Sequence, residues 1–234
     1  MKTIILKLSG PLQAWGTNSH FETRHTERYP SKSAIIGLIA GSLGYKRDSE
    51  KISKLNELDF AVRIDQAGEL LRDYHTARKY KHSDGKLDRV YVTNRYYLSD
   101  AVFLVAIGHE DTVWMDEIEQ ALKSPYYQQF MGRRSLPLNA DFLYKITNES
   151  VMNTLRDIPW LAADWYKKKN QVTSLEIYAD ANLLQGKARQ PRRDRVVSFS
   201  QKNRQFAFRM ESREELPIAY EKMTSHDAFG KLEE

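Results

Sequence analysis

Up to residue 147 the chain switches between two hydrophobic periods, and the order of those switches narrows the fold more than any single motif. Thr3–Leu8 has the period of a strand, with Ile4, Leu6 and Leu8 on one face and Lys7 on the other. Tyr29-Pro30-Ser31-Lys32-Ser33 then announces a helix, with Ser31 or Ser33 as N-cap and an end near Gly44. Gly37 and Gly41 give that helix a bare face, which predicts close approach to a sheet. Ile52, Leu55 and Leu58 predict a short second helix over 49–57, and Asp59–Asp65 alternates as a strand. Two extended runs, Leu71–Lys79 and Arg89–Leu98, flank Ser83-Asp84-Gly85-Lys86, a strong hairpin signal. That hairpin is too polar on both faces for a core, so it is expected to project. Ala101–Ile107 reads as a central strand, Trp114, Ile118, Ala121 and Leu122 as one face of a helix ended by Ser124-Pro125, and Phe142–Thr147 as a strand. The predicted class is α+β: a ferredoxin-like, RRM-like βαββαβ core with an inserted β-hairpin, an order that many unrelated proteins share.

After Asn148 the pattern loosens. Val151–Arg156 predicts a short helix, Trp165–Lys169 an exposed mixed run, and Ser174–Ala179, Arg195–Ser200 and Gln205–Met210 three short strands. The expected organisation is a main domain over 1–147, with the hairpin at about 71–98, and a smaller basic, β-rich part over 148–234 packed on it. The last dozen residues are expected to be mobile. The 234 residues include no cysteine, which excludes disulfides, thiolate metal sites and cysteine nucleophiles and fits a reducing compartment. The first apolar run is too short and too alternating for a signal peptide, and no stretch reaches the ~20 apolar residues of a membrane span. The expectation is a soluble, cytoplasmic protein with no membrane partner.

The net charge is only +5, so its distribution matters more than its sum. Basic residues gather between Arg24 and Lys32, along the hairpin, at Arg133-Arg134, and from Lys187 to Arg209. Arg24, His25, Arg28 and Lys32 precede a helix start, whose free N–H groups and partial positive charge favour an anion. One basic run is ordinarily a solvated face. Four of them, interleaved with tyrosines on loops and a hairpin, suit phosphates and splayed bases, so RNA or another single strand stands beside an unspecified anion or an acidic protein surface. The histidines are scattered, with no metal-ligand spacing, and no Gly-x-x-x-x-Gly-Lys loop, dinucleotide fingerprint or serine elbow is present. No metal or cofactor is expected. Tyr74-His75 beside Arg78 could serve metal-free RNA cleavage, with His75 as general base, but stacking or hydrogen bonding on a binding hairpin is the simpler role. Trp15 and Trp114 are more simply core or interface aromatics than a ligand cage.

Several motifs together resemble one family. Leu8-Ser9-Gly10-Pro11-Leu12-Gln13-Ala14-Trp15-Gly16, Arg28–Leu38, Leu71–Thr76 and Phe130-Met131-Gly132-Arg133-Arg134-Ser135-Leu136-Pro137-Leu138 are similar to the CasD-type subunits of type I-E CRISPR Cascade. Arg193-Asp194 and Arg204–Arg209 resemble the closing pattern of that family. The resemblance implies a RAMP-superfamily RNA-binding protein with a ferredoxin-like core and a hairpin thumb. It implies a non-catalytic subunit in antiviral defence that holds the 5′ handle of CRISPR RNA and caps the complex beside the large subunit. Partners would be the CRISPR RNA, the Cascade backbone subunit and the large subunit, with target DNA met only through the complex. The runner-up is a metal-independent endoribonuclease that processes precursor CRISPR RNA, as a related subunit does in another subtype. Carried over by position, the phosphate seat would be Gln13, Trp15, Gly16, Arg24, Arg28, Lys32 and Ser33. Tyr74, His75, Arg78, Arg95 and Tyr96 would be the thumb contacts, and Arg133, Arg134 and Ser135 the third wall.

Overall fold

The computed structural model describes residues 1–16, 22–78 and 90–218; the tip around Asp84-Gly85 and the C-terminal dozen residues lie outside them. Strand β1 (Lys2–Ser9) is followed by the two-residue strands β2 (Leu12–Gln13) and β3 (Thr23–Arg24) and by helix α1 (Lys32–Ser42). Helix α2 (Lys51–Lys54) and a 3-10 turn over Leu55–Glu57 lead into β4 (Asp59–Gln66). The hairpin strands β5 (Glu69–Arg78) and β6 (Val90–Ser99) come next, then β7 (Val102–His109), α3 (Thr112–Lys123) and β8 (Leu143–Thr147). The remaining elements are α4 (Val151–Asp157), α5 (Asp164–Lys169), β9 (Ser174–Asp180), β10 (Arg189–Ser198) and β11 (Gln205–Pro217). No helix among the described residues is long and apolar enough to cross a membrane.

Seven strands form one sheet in the order β10-β11-β9-β4-β7-β1-β8, every neighbouring pair antiparallel. The α+β expectation holds in this form, a mixed fold dominated by antiparallel sheet. Residues 174–217 do not build a separate sheet; β9 hydrogen-bonds directly to β4. β7 reads as an unbroken apolar run because both of its faces are covered, so neither needs polar residues. Phe103, Val105 and Ile107 meet α1 and α3 through Ile35, Ile39, Met115 and Ile118. Leu104 and Ala106 meet the α4 side through Val151, Met152 and Leu155.

Ser31 is the N-cap of α1, its hydroxyl accepting from the Ala34 N–H, and Gly44 follows the helix at φ 74°. The glycine face differs from the expectation. A Cβ at Gly41 would meet nothing within 4 Å, and one at Gly37 would touch only the Phe199 ring at 3.7 Å, so neither glycine admits a sheet. β10 and β11 run beyond their predicted bounds, and Trp165–Lys169 lies within a short helix. The reason is chemical: the buried side of β10 and β11 carries Arg192, Asp194, Arg209 and Glu211, so their inward positions show no apolar alternation.

The second sheet is built on β6. One edge of β6 pairs with β5 from Glu69↔Ser99 to Arg78↔Val90. The other edge pairs antiparallel with β2 (Gln13↔Leu98) and parallel with β3 (Arg24↔Arg95). The opening loop and the hairpin therefore belong to one sheet.

Candidate nucleic-acid interface

The helix start that resembled an anion seat is already filled. The Lys32 N–H, at the first turn of α1, donates to Asp194 Oδ2 at 2.9 Å. Its ammonium donates to the Leu58 carbonyl at 2.6 Å, and to the Asn56 carbonyl and Asp180 Oδ2 at 2.9 Å each. Lys32 is 6% exposed, and Ser33 is equally buried with its hydroxyl 3.2 Å from that of Ser31. Neither can reach a ligand, which corrects their assignment: the anion at this N-terminus is the protein's own carboxylate. Arg209 completes the cluster, donating to Asp194 at 2.7 Å, Glu211 at 2.6 Å and Asp180 at 3.2 Å. Burial works against the Arg209 charge, yet the three carboxylates more than offset it and hold its pKa above the ordinary arginine value. Tyr29 caps the cluster: its hydroxyl donates to Glu211 at 2.8 Å and its ring stacks on Tyr178. Burial pushes its pKa above the ordinary tyrosine range.

Gln13 and Trp15 are likewise interior. The Gln13 amide donates to the Ala101 carbonyl at 2.8 Å and the Leu8 carbonyl at 3.2 Å, and its Oε1 accepts from the Trp15 indole at 3.1 Å. These bonds satisfy the polar atoms of a loop sealed into the core. Both side chains shape the wall without facing it; Gly16 is at the surface.

The structure does join the third wall to the β3–β6 edge. Arg133 Nη2 donates to the Arg24 and Tyr96 carbonyls at 3.0 Å each, and its guanidinium lies 4.3 Å from the Tyr97 ring centroid. Gly132 makes this possible. It sits at φ 82°, and a Cβ there would fall 1.6 Å from the Ala14 carbonyl oxygen. The loop is closed by the Met131 N–H donating to the Leu136 carbonyl, which leaves Arg134 and Ser135 outside. Arg24, His25 and Arg28 are exposed nearby, and the His25 ring stacks on Tyr96 at 5.5 Å and 11°. No ion pair holds Arg24, Arg28 or Arg134 among the described residues. Two donors in this region, Arg95 Nε and Arg133 Nη1, are buried without a partner among the described residues.

The hairpin residues divide between two faces. Strand alternation and the register put Arg72, Tyr74, Asn94 and Tyr96 on one face, where Arg72 donates to Asn94 at 2.9 Å. His75, Arg95 and Tyr97 occupy the other, with the His75 Nδ1 3.4 Å from the Thr93 hydroxyl. One strand of nucleic acid on one face therefore cannot meet Tyr74, His75, Arg95 and Tyr96 together. Arg78 ends β5 with its backbone opposite Val90, and its side chain lies outside the described residues. The contact set carried over by resemblance omitted His25, Arg72 and Asn94; the period-2 alternation of β6 was the available signal for Asn94.

Residues 3–210 match the family described as CRISPR-associated protein (Cas_Cas5). The chain belongs to this Cas5 family. It is 38% identical over 149 residues to CRISPR system Cascade subunit CasD of Escherichia coli (strain K12), a match that spans 58% of this chain and 66%, just under two thirds, of that protein. A chain of a CRISPR RNA-guided surveillance complex superposes with a TM-score of 0.77 at 27% identity, covering 92% of this chain and 90% of that one. A crystal structure of a Cas protein superposes at 0.66 with 29% identity, covering 92% and 95%. The CasD-type resemblance of the Gly10–Gly16 and Phe130–Leu138 motifs is thereby borne out. In this Cas5 protein the two motifs meet in space, the Ala14 N–H donating to the Met131 carbonyl at 3.3 Å.

Proposed function

We propose that this chain is a non-catalytic RNA-binding subunit of a type I-E Cascade complex that holds the 5′ handle of CRISPR RNA. The observation that carries this is the surface at the β3–β6 edge. There a His25–Tyr96 stack stands among exposed Arg24, Arg28 and Arg134, beside Gly16 and Ser135. Arginines without carboxylate partners attract phosphates, and an exposed aromatic stack can extend onto an unpaired base. The order β4-β7-β1-β8, with α1 and α3 against it, supports reading residues 1–147 as a ferredoxin-like core, and the β5–β6 pair supports reading a thumb. In the second part, 148–234, the strands β9, β10 and β11 widen the sheet. The subunit caps one end of the complex, beside the backbone and large subunits, meets target DNA only through it, and acts in the cytoplasm in antiviral defence. It uses no metal or cofactor.

Arg28→Ala and Arg134→Ala are each expected to weaken handle binding and to lower the slope of log affinity against log salt by about 0.7. Unchanged affinity and slope in both variants would remove the seat. Specific cleavage of a labelled repeat RNA in EDTA, lost in His75→Ala, would instead make the protein a nuclease.

A further inference from the structure

The basic run from Lys187 to Arg209 takes no part in the surface described above, and the structure sets part of it around a cavity of about 470 Å³. Asp59 at the head of β4, Asn182 after β9, Arg189 and Arg195 on β10, and Phe208 and Met210 on β11 line its open side. On its inner side Lys32 and Arg209 both pair with Asp180, and Arg209 also with Asp194 and Glu211. The uncommitted groups are chemically distinct: two arginines, one aromatic, and two acids, exposed Glu57 and half-buried Asp59. Arg189 and Arg195 are exposed, with no ion pair among the described residues. Phe208 is 64% exposed, with Met210 also exposed two residues along the same strand face. Asp59 is half-buried and held by Asn182; burial pushes its carboxyl above the ordinary aspartate value. Among the described residues its hydrogen-bond partner is the neutral Asn182 side chain, with the Lys32 charge acting on it through space.

We infer that this cavity is a second RNA-binding site, which takes one nucleotide of a single strand with an amino-bearing base. The base stacks on Phe208, its N–H edge donates to Asp59, and the phosphates on its two sides lie one toward Arg195 and one toward Arg189. Cytosine, adenine and guanine each present an amino group; uracil flanks its one N–H with two carbonyl oxygens that repel a carboxylate. An acidic protein segment would satisfy the arginines but not Asp59, and a basic one the reverse. A nucleotide carries a donor edge, a flat apolar face and an anion together, and the cavity has the size of a small-ligand site.

The test uses the full chain carrying Arg28→Ala and Arg134→Ala, so that the first surface is weakened, with fluorescein-labelled hexamers of C, A and U and anisotropy at physiological salt. The C and A hexamers are expected to bind more tightly than U, with Phe208→Ala and Arg195→Ala each weakening the C hexamer about fivefold or more. Both side chains are exposed, so the fold is not at stake. Hexamer affinity unchanged in both variants, or equal for C and U, would overturn the site. Free CMP binding as tightly as the C hexamer would assign it to a mononucleotide and overturn the RNA reading. Normal hexamer binding with failed assembly onto partner subunits would assign the face to a protein. The handle surface is judged separately, by the Arg28→Ala and Arg134→Ala chain against handle RNA, so either reading can fail alone.

Discussion

Asp194 lies in a segment that reads as basic and exposed, yet it is fully buried and accepts from the α1 backbone and from Arg209. Removing one partner of a buried ionic cluster leaves the others uncompensated, so Asp194→Ala is expected to cost about 3–5 kcal/mol in urea unfolding. Gly132 is the other residue whose identity is dictated by its surroundings. Gly132→Ala would place a methyl against the Ala14 carbonyl, so the loop must move. The expected result is loss of RNA affinity through displacement of Arg133 and Arg134, read by titration with handle RNA and by near-UV circular dichroism. Neither effect was legible locally. Asp194 is one acid among arginines until its partners at 32 and 209 are placed, and Gly132 is only a loop glycine until Ala14 is set against it.

Among the elements, β6 separates two roles residue by residue. Tyr97 is buried beneath the Arg133 guanidinium, whereas Tyr96 faces the other way and stacks on His25. Tyr97→Ala is expected to lower stability by about 3 kcal/mol, the cost of emptying a packed aromatic site. Tyr96→Ala is expected to leave the unfolding midpoint nearly unchanged and to weaken handle RNA binding. Identical behaviour of the two variants would mean that β6 lacks this sidedness. A second element-level device ties β1 to α3, where Glu119 accepts from Lys123 and Lys2. Those bonds hold the Glu119 carboxyl below its ordinary value, Lys123 contributing most. A depressed folded-state pKa stabilises above the unfolded carboxylate range and ceases to as pH falls through the folded value. Glu119→Gln should therefore lower the urea midpoint at pH 7 and converge with the parent protein in strong acid.

For the whole molecule, the sheet runs through both parts of the chain. The face bearing Ile5, Ala61, Leu104 and Ala106 is covered by Val151, Met152, Leu155 and Ile158, and the outer edge of β4 is paired by β9. A chain ending at residue 147 would bare that face and that edge together. It is expected to be insoluble or unfolded, as size-exclusion chromatography and far-UV circular dichroism would show. The strands and helices of the first 147 residues were legible because their apolar spacing is local. The pairing of β4 with β9 was not, since it spans more than a hundred residues, and the inward side of β10 and β11 hides its strand period because it carries Arg192, Asp194, Arg209 and Glu211. Lys32 was misplaced for the same reason: a cation in a basic run looks exposed until the carbonyls and carboxylates that enclose it are known, whereas Gln13, Trp15 and Ser33 entered the seat only by resemblance, and the residues themselves read Trp15 as a core or interface aromatic. The sequence by itself determined the element order, the Ser31 cap and, through the Gly10–Gly16 and Phe130–Leu138 motifs, the Cas5 family, because each is encoded in neighbouring residues. Only the tertiary structure decided which cations remain for a ligand, because a charge is free or committed according to what folds against it.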